Sequence, residues 1–106
     1  MKTGIFGGTF DPIHNGHLFS AEAIKKILDF DRIIFIPTGE PPHKVARRVT
    51  SAYDRFEMVR AAIQGIDGFE VSDIEIKRKS YTYTYDTLME LKKNAEPDEE
   101  FSMIIG

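Results

Sequence analysis

Cysteine is absent from all 106 residues. That excludes a disulfide framework, thiolate metal ligation and a thiol nucleophile, and it suits a reducing compartment. An excess of positive charge is lacking too: 14 Lys and Arg stand against 17 Asp and Glu, for a formal net charge of -3. Surfaces that coat nucleic acid are strongly basic, so nucleic acid is not an expected partner and any anion site must be local. Long apolar runs are missing as well. The start, Met1 to Gly8, reaches its paired glycines without a sustained hydrophobic stretch, which is the pattern of neither a signal peptide nor a membrane span. The cytoplasm is the expected location, with no membrane association. Low-complexity tracts, repeats and linker-like segments are also wanting. What is present, 42% hydrophobic and 29% charged residues, is ordinary for a globular protein. Residues 1–106 are therefore expected to form one domain without an internal boundary, large enough for a core but short for a complete two-substrate enzyme.

The apolar pattern alternates between strand and helix. Thr3 to Phe6 is a short apolar segment that runs into Gly7 and Gly8, as a buried strand entering a tight loop does. From Gly16, Leu18, Ala21, Ile24 and Leu28 recur at helical spacing, with Ala23 and Ile27 widening the stripe, and predict a helix to about Leu28. Arg32 to Pro37 is an unbroken apolar strand closed by proline, the mark of a strand covered on both faces of a parallel sheet. Thr38 to Lys44, with its glycine and two prolines, and the basic pair Arg47 and Arg48 predict a long loop. Ser51 and Asp54 form an approximate capping box ahead of Phe56, Val59, Ile63 and Ile66, which predicts a second helix. Phe69 to Val71 reads as a third strand, and the alternation of Ile74 and Ile76 with Glu75 and Lys77 either extends it or forms an edge segment. Thr84 and Asp86 suit the start of a third helix carrying Tyr85, Leu88, Met89 and Ala95, and Phe101 to Ile105 reads as a fourth buried strand. The fold class this predicts is α/β: a Rossmann-like parallel sheet of about four strands flanked by helices. Ligands of such sheets bind beyond the carboxyl ends of the strands, so the loops after Phe6, Ile36, Val71 and Ile105 should share one rim.

The first of those loops carries the chemistry. Gly7 and Gly8 let the backbone approach a ligand, and the start of the next helix offers free amides and a positive dipole end to an anion. No Gly-Lys-Ser/Thr follows, so this is not a Walker loop, and no third glycine completes a Gly-x-Gly-x-x-Gly fingerprint. In their place stands His14-Asn15-Gly16-His17. Two imidazoles three positions apart at a helix start can face one cleft and hold phosphate oxygens, with Gly16 leaving room above the helix end. The plainer alternative is that one histidine caps the helix and the other is a solvated loop residue. A zinc site wants three or four ligands, and the only other histidine, His43, lies in a different loop, so no protein metal site is expected. Magnesium carried in by a nucleotide is the more natural ion.

The run Gly7-Gly8-Thr9-Phe10-Asp11-Pro12-Ile13-His14-Asn15-Gly16-His17-Leu18 resembles the signature of bacterial nicotinate mononucleotide adenylyltransferases, in the nucleotidyltransferase superfamily marked by a His/Thr-x-Gly-His motif. Pro41-Pro42-His43-Lys44, Phe69 to Glu75 and Tyr83 to Leu88 are similar to later motifs of that family, so the likeness spans the chain. Thr82 stands where the family more often has serine, and Lys79-Ser80-Tyr81 replaces a glycine-containing approach. The resemblance implies transfer of AMP from ATP to nicotinate mononucleotide, giving deamido-NAD and pyrophosphate in NAD biosynthesis, with Mg2+ carried by ATP. It implies His14 and His17 as catalytic residues. Gly7, Gly8, Thr9, Phe10, Gly16 and Lys44 would contact nucleotide and phosphate, and Tyr83, Thr84 and Asp86 would contact nicotinate mononucleotide. The superfamily motif alone leaves the substrate open, so the amide mononucleotide or another phosphate acceptor stays possible, as does a non-catalytic mononucleotide-binding half-domain. The family's chains are roughly twice as long, so this chain alone is expected to be incomplete for catalysis; its oligomeric state is not legible.

Overall fold

The computed structural model describes residues 1–39, 51–77 and 84–104, with side chains in the last segment described from Thr87 onward. Four strands and three helices follow in the order β1 (Lys2–Gly8), α1 (Asn15–Ile27), β2 (Arg32–Pro37), α2 (Ala52–Ile63), β3 (Phe69–Val71), α3 (Thr84–Lys93) and β4 (Glu100–Ile104). The strands form one sheet in the order β3-β2-β1-β4, and every neighbouring pair is parallel. This is the predicted Rossmann-like architecture.

Parallel pairing explains the unbroken apolar character of β2. Successive side chains point to opposite faces, and both faces are covered. Ile33 and Phe35 enter a core with Phe6, Ala21, Val59 and Ile63, on the side of α1 and α2. Ile34 and Ile36 join Ile5 on the other side, where Leu88 and Leu91 of α3 pack. Two helices thus lie on one face and the third on the opposite face. Phe35 is at the centre of the first core, stacked on Phe6 at 5.4 Å between ring centroids and edge-on to Phe69 at 5.2 Å.

Several sequence expectations are corrected. Ile74 and Ile76 do not extend β3: residues 74–76 form a turn. The Ser72 hydroxyl accepts from the Ile74 N–H at 3.2 Å, and the Lys77 N–H donates to the Asp73 carbonyl at 3.0 Å. A local side-chain acceptor has displaced the ladder that alternation predicts. In α1, Ile27 and Leu28 are exposed, since periodicity tells which residues share a face but not where the covering sheet ends. In α2 the fully buried positions are Ala52, Arg55, Val59 and Ile63, so Arg55 takes the place expected of Phe56. In α3, Met89 is exposed and Leu91 packs instead. The fourth strand is not buried along its length: β4 lies at the edge of the sheet and only Ile104 is buried. The Ser51 cap is realised, its Oγ accepting from the Asp54 N–H at 3.3 Å. Pro41, Pro42, His43, Lys44, Arg47, Arg48 and the approach Lys79 to Tyr83 lie outside the described residues.

Deleting the Phe35 ring, which touches aromatic neighbours on both sides, is expected to cost about 4 kcal/mol in Phe35→Ala. Phe19→Ala, at a position 77% exposed, should change stability by less than about 0.5 kcal/mol. Urea unfolding followed by circular dichroism measures both.

Candidate functional site

Strand order sets where a ligand can sit. From β1 the chain steps outward through β2 to β3, then returns past them to place β4 on the other side of β1. The strand order thus turns at β1, the place where such sheets open a crevice beyond the carboxyl ends of their strands. A cleft of about 660 Å³ lies there, lined by the Phe6 to Phe10 segment, His14, Gly16, His17, Ser20, Ile24 and Ile104. Its size falls within the roughly 300–1,000 Å³ of small-molecule sites.

The helix start is built by the two histidines themselves. His14 is the N-cap of α1, with extended backbone, and its Nδ1 accepts from the Gly16 N–H at 3.1 Å. His17 answers in the reverse direction: the His14 N–H donates to His17 Nδ1 at 3.0 Å. This is a capping box with imidazoles in the places usually held by Ser or Thr and Glu. Capping and ligand contact are therefore not alternatives. Each Nδ1 is an acceptor, so the neutral rings carry their proton on Nε2, and two Nε2–H donors are left for a ligand. The rings stack with centroids 3.8 Å apart.

Neighbouring residues hold the pair. The Phe10 ring meets His17 edge-on at 5.1 Å and is itself buried against Phe6 and Phe35. Phe10 reaches that position from a left-handed backbone, φ 50°, just ahead of a cis Asp11–Pro12 bond. Gly16 makes room, but for the protein's own ring: a Cβ there would stand 2.9 Å from the His14 imidazole. The sequence expectation that this glycine leaves space for ligand is corrected to that extent.

Burial of the His17 ring, then repulsion from His14, pushes the His17 pKa below its ordinary 6.5. His17 thus favours its neutral form, the form whose Nδ1 can serve the cap. Among the described residues no group of three or more His, Cys, Asp or Glu could hold a metal ion. No helix among them is long and apolar enough to cross a membrane.

A crevice at the strand-order reversal, with glycines on one wall and two imidazole donors at a helix start, is a nucleotidyltransferase arrangement, and a family model described as cytidylyltransferase-like matches residues 5–106. The chain belongs to this cytidylyltransferase-like family. Among its relatives, a protein of Desulfitobacterium hafniense named probable nicotinate-nucleotide adenylyltransferase is 54% identical over 105 residues, covering 99% of this chain and 50% of that protein. One of the same name from Dehalococcoides mccartyi is 54% identical over 106 residues, 52% of its length. The chain thus spans about half the length of the curated relatives it matches. The solved structure titled Plasmodium falciparum nicotinic acid mononucleotide adenylyltransferase complexed with NaAD superposes with a TM-score of 0.77 at 22% identity, over 96% of this chain and 50% of that one. At that identity it speaks for the fold alone.

Of the site residues expected from the sequence, this cytidylyltransferase-like domain brings Gly7, Gly8, Thr9, Phe10, His14, Gly16 and His17 to one cleft. Thr84 and Asp86 lie in the first turn of α3, on the opposite face of the sheet from α1. Lys44 and Tyr83 are outside the described residues. Sequence reasoning missed Ser20, one turn after His17 on the cleft side of α1, and Ile104 at the end of β4. It also missed Arg55, whose signal was a cation at stripe spacing between Ala52 and Val59. Arg55 Nη1 donates to the Thr9 carbonyl at 2.8 Å, and Nη2 donates to that of Gly39 at 3.3 Å.

Nitrogen-15 spectra of the rings should show Nδ1 unprotonated and Nε2 protonated in both histidines at neutral pH, with His17 titrating below 6.5. The unfolded chain then binds the His17 proton more readily, so this contribution to stability is full above about pH 6.5 and is lost as pH falls through the folded-state value. His14→Ala removes the cap and should cost about 1 kcal/mol. Gly16→Ala should push the His14 ring off its stack, seen as a changed His14 ring shift and weaker binding of phosphate ligands.

Proposed function

We propose that the protein containing these residues is a nicotinate mononucleotide adenylyltransferase that makes deamido-NAD and pyrophosphate from nicotinate mononucleotide and ATP in NAD biosynthesis. The observation that carries the reading is the pair of fixed Nε2–H donors beside the glycine loop, at the crevice where such sheets bind nucleotides. The choice of substrate rests on the names of the relatives at 54% identity.

The reaction asks little of a general base. A phosphate monoester has its second pKa near about 6, so the mononucleotide phosphate is largely dianionic at neutral pH and is itself the nucleophile. Its oxygen forms a bond to the α-phosphorus of ATP while the α–β bridging P–O bond breaks, and the electron pair leaves on pyrophosphate. The protein's work is alignment and neutralisation of charge on the bridging and leaving oxygens. His14 and His17 supply hydrogen bonds to those oxygens from Nε2, and backbone amides of Gly7 to Phe10 line the wall against which phosphate rests. Mg2+ enters with ATP as part of that substrate. Lys44 adds a point charge to the ligand phosphates. Backbone amides at the start of α3, around Thr84, recognise the pyridine carboxylate and so favour acid over amide, while Tyr83 and Asp86 contact other parts of the mononucleotide. The expected location is the cytoplasm.

The half-length match favours a division of labour, in which residues 1–106 supply the mononucleotide half of the site and turnover needs the full-length protein. In that protein His17→Ala should lower kcat/KM for pyrophosphate release by about 10²–10³-fold, the scale of losing a transition-state donor. Near-normal turnover would overturn the assignment. Competition between acid and amide mononucleotides decides the substrate. The 106-residue chain should bind mononucleotide weakly and release no pyrophosphate; dinucleotide synthesis by it would refute the division.

A further inference from the structure

Arg55 is fully buried on the apolar face of α2. A guanidinium withdrawn from water needs oxygens for its N–H groups, and two loops supply them. Nη1 donates to the Thr9 carbonyl at 2.8 Å and to Thr38 Oγ1 at 3.4 Å, while Nη2 donates to the Gly39 carbonyl at 3.3 Å. Thr9 follows β1, and Thr38 and Gly39 follow β2. One side chain therefore ties the cleft loop to its neighbour. The neighbour is a firm support: a Cβ on Gly39 would stand 2.7 Å from the Glu75 carbonyl oxygen, so that loop lies wedged against the turn after β3.

Peptide geometry gives this tie a direction. The carbonyl and N–H of one trans peptide point opposite ways. The cis bond at this loop is Asp11–Pro12, and the Thr9–Phe10 peptide is trans. Drawing the Thr9 oxygen toward Arg55 turns the Phe10 N–H away from α2. Phe10 lines the cleft, is only 3% exposed, and among the described residues nothing accepts from its N–H. A backbone N–H without a protein acceptor is open to an anion in the cleft.

We propose that Arg55 is a positioning residue of the phosphate site, fixing the Thr9–Phe10 peptide so that the Phe10 N–H is presented to a ligand phosphate oxygen. The inference deepens the phosphate-binding reading above and rests on it. Lysine cannot replace the guanidinium here, because one ammonium lacks the planar fork that spans oxygens on two loops.

The test uses backbone NMR of the protein with inorganic phosphate as the probe, and it reads two quantities. One is the Phe10 N–H residual dipolar coupling without ligand; the other is the shift of that amide as phosphate is added. In the wild type the Phe10 amide should shift with phosphate. In Arg55→Lys the coupling should change, and the phosphate concentration for half of the shift should rise at least tenfold, while thermal unfolding stays cooperative. An unchanged coupling, a retained phosphate response, or a wild-type Phe10 amide that ignores phosphate would overturn the proposal. Should Arg55→Lys fail to fold, Thr38→Val removes one of the acceptors and should move both quantities the same way by less; no movement overturns the proposal. A wild-type amide that answers phosphate but neither mononucleotide would sink the proposed substrate and still support the role of Arg55.

Discussion

β1 hydrogen-bonds in parallel to β2 on one edge and to β4 on the other, and the location of the site follows from that pairing. A parallel strand delivers its carboxyl end to the same rim as its partners, while a reversal of strand order pulls the departing loops apart. The opening falls above β1 because β1 is where the order turns. The opposite rim is closed by charge: Arg32 donates to Thr3 and Glu70, each at 3.0 Å, and pairs with Glu99. One end of the sheet is thus laced together across its strands, and the other is left open with a helix start pointing at it.

At that open end, one set of hydrogen bonds does two jobs. A cap made by serine or aspartate would satisfy the first amides of α1 and leave nothing over for a ligand. An imidazole has a second nitrogen on the far side of the ring, so capping through Nδ1 turns Nε2 outward as a donor. The energy that holds the helix start also fixes tautomer and ring direction before any ligand arrives, which is the condition for strong electrostatic stabilisation of developing charge.

How much of this was legible in the sequence depends on whether a feature is local. β2 was readable to the residue, β3 in its Phe69 to Val71 core and α1 nearly so, because apolar runs and glycine or proline stops are encoded where they act. The paired histidines were also readable as chemistry, since their spacing places both at a helix start. Their mutual capping was not, because it depends on the extended backbone of His14 and on ring rotations that no pattern records. Arg55 escaped for a related reason: a lone arginine in a helix reads as surface until the carbonyls of Thr9 and Gly39, 46 and 16 residues away, are brought to it. Ile74 and Ile76 misled because alternation cannot see a serine hydroxyl competing for the backbone.

The packing around His14 also bears on how such a site can change over time. Gly16 cannot gain a side chain without moving the His14 ring, His14 cannot be exchanged without losing the cap or the outward Nε2 donor, and His17 leans on a Phe10 ring held by an unusual backbone. Each position answers for two properties, so single steps through sequence space are closed there and the segment must vary as a block. New ligand preferences have to be found on the cleft's other walls, at exposed Ser20 rather than at Ile24 and Ile104, which pack in the core.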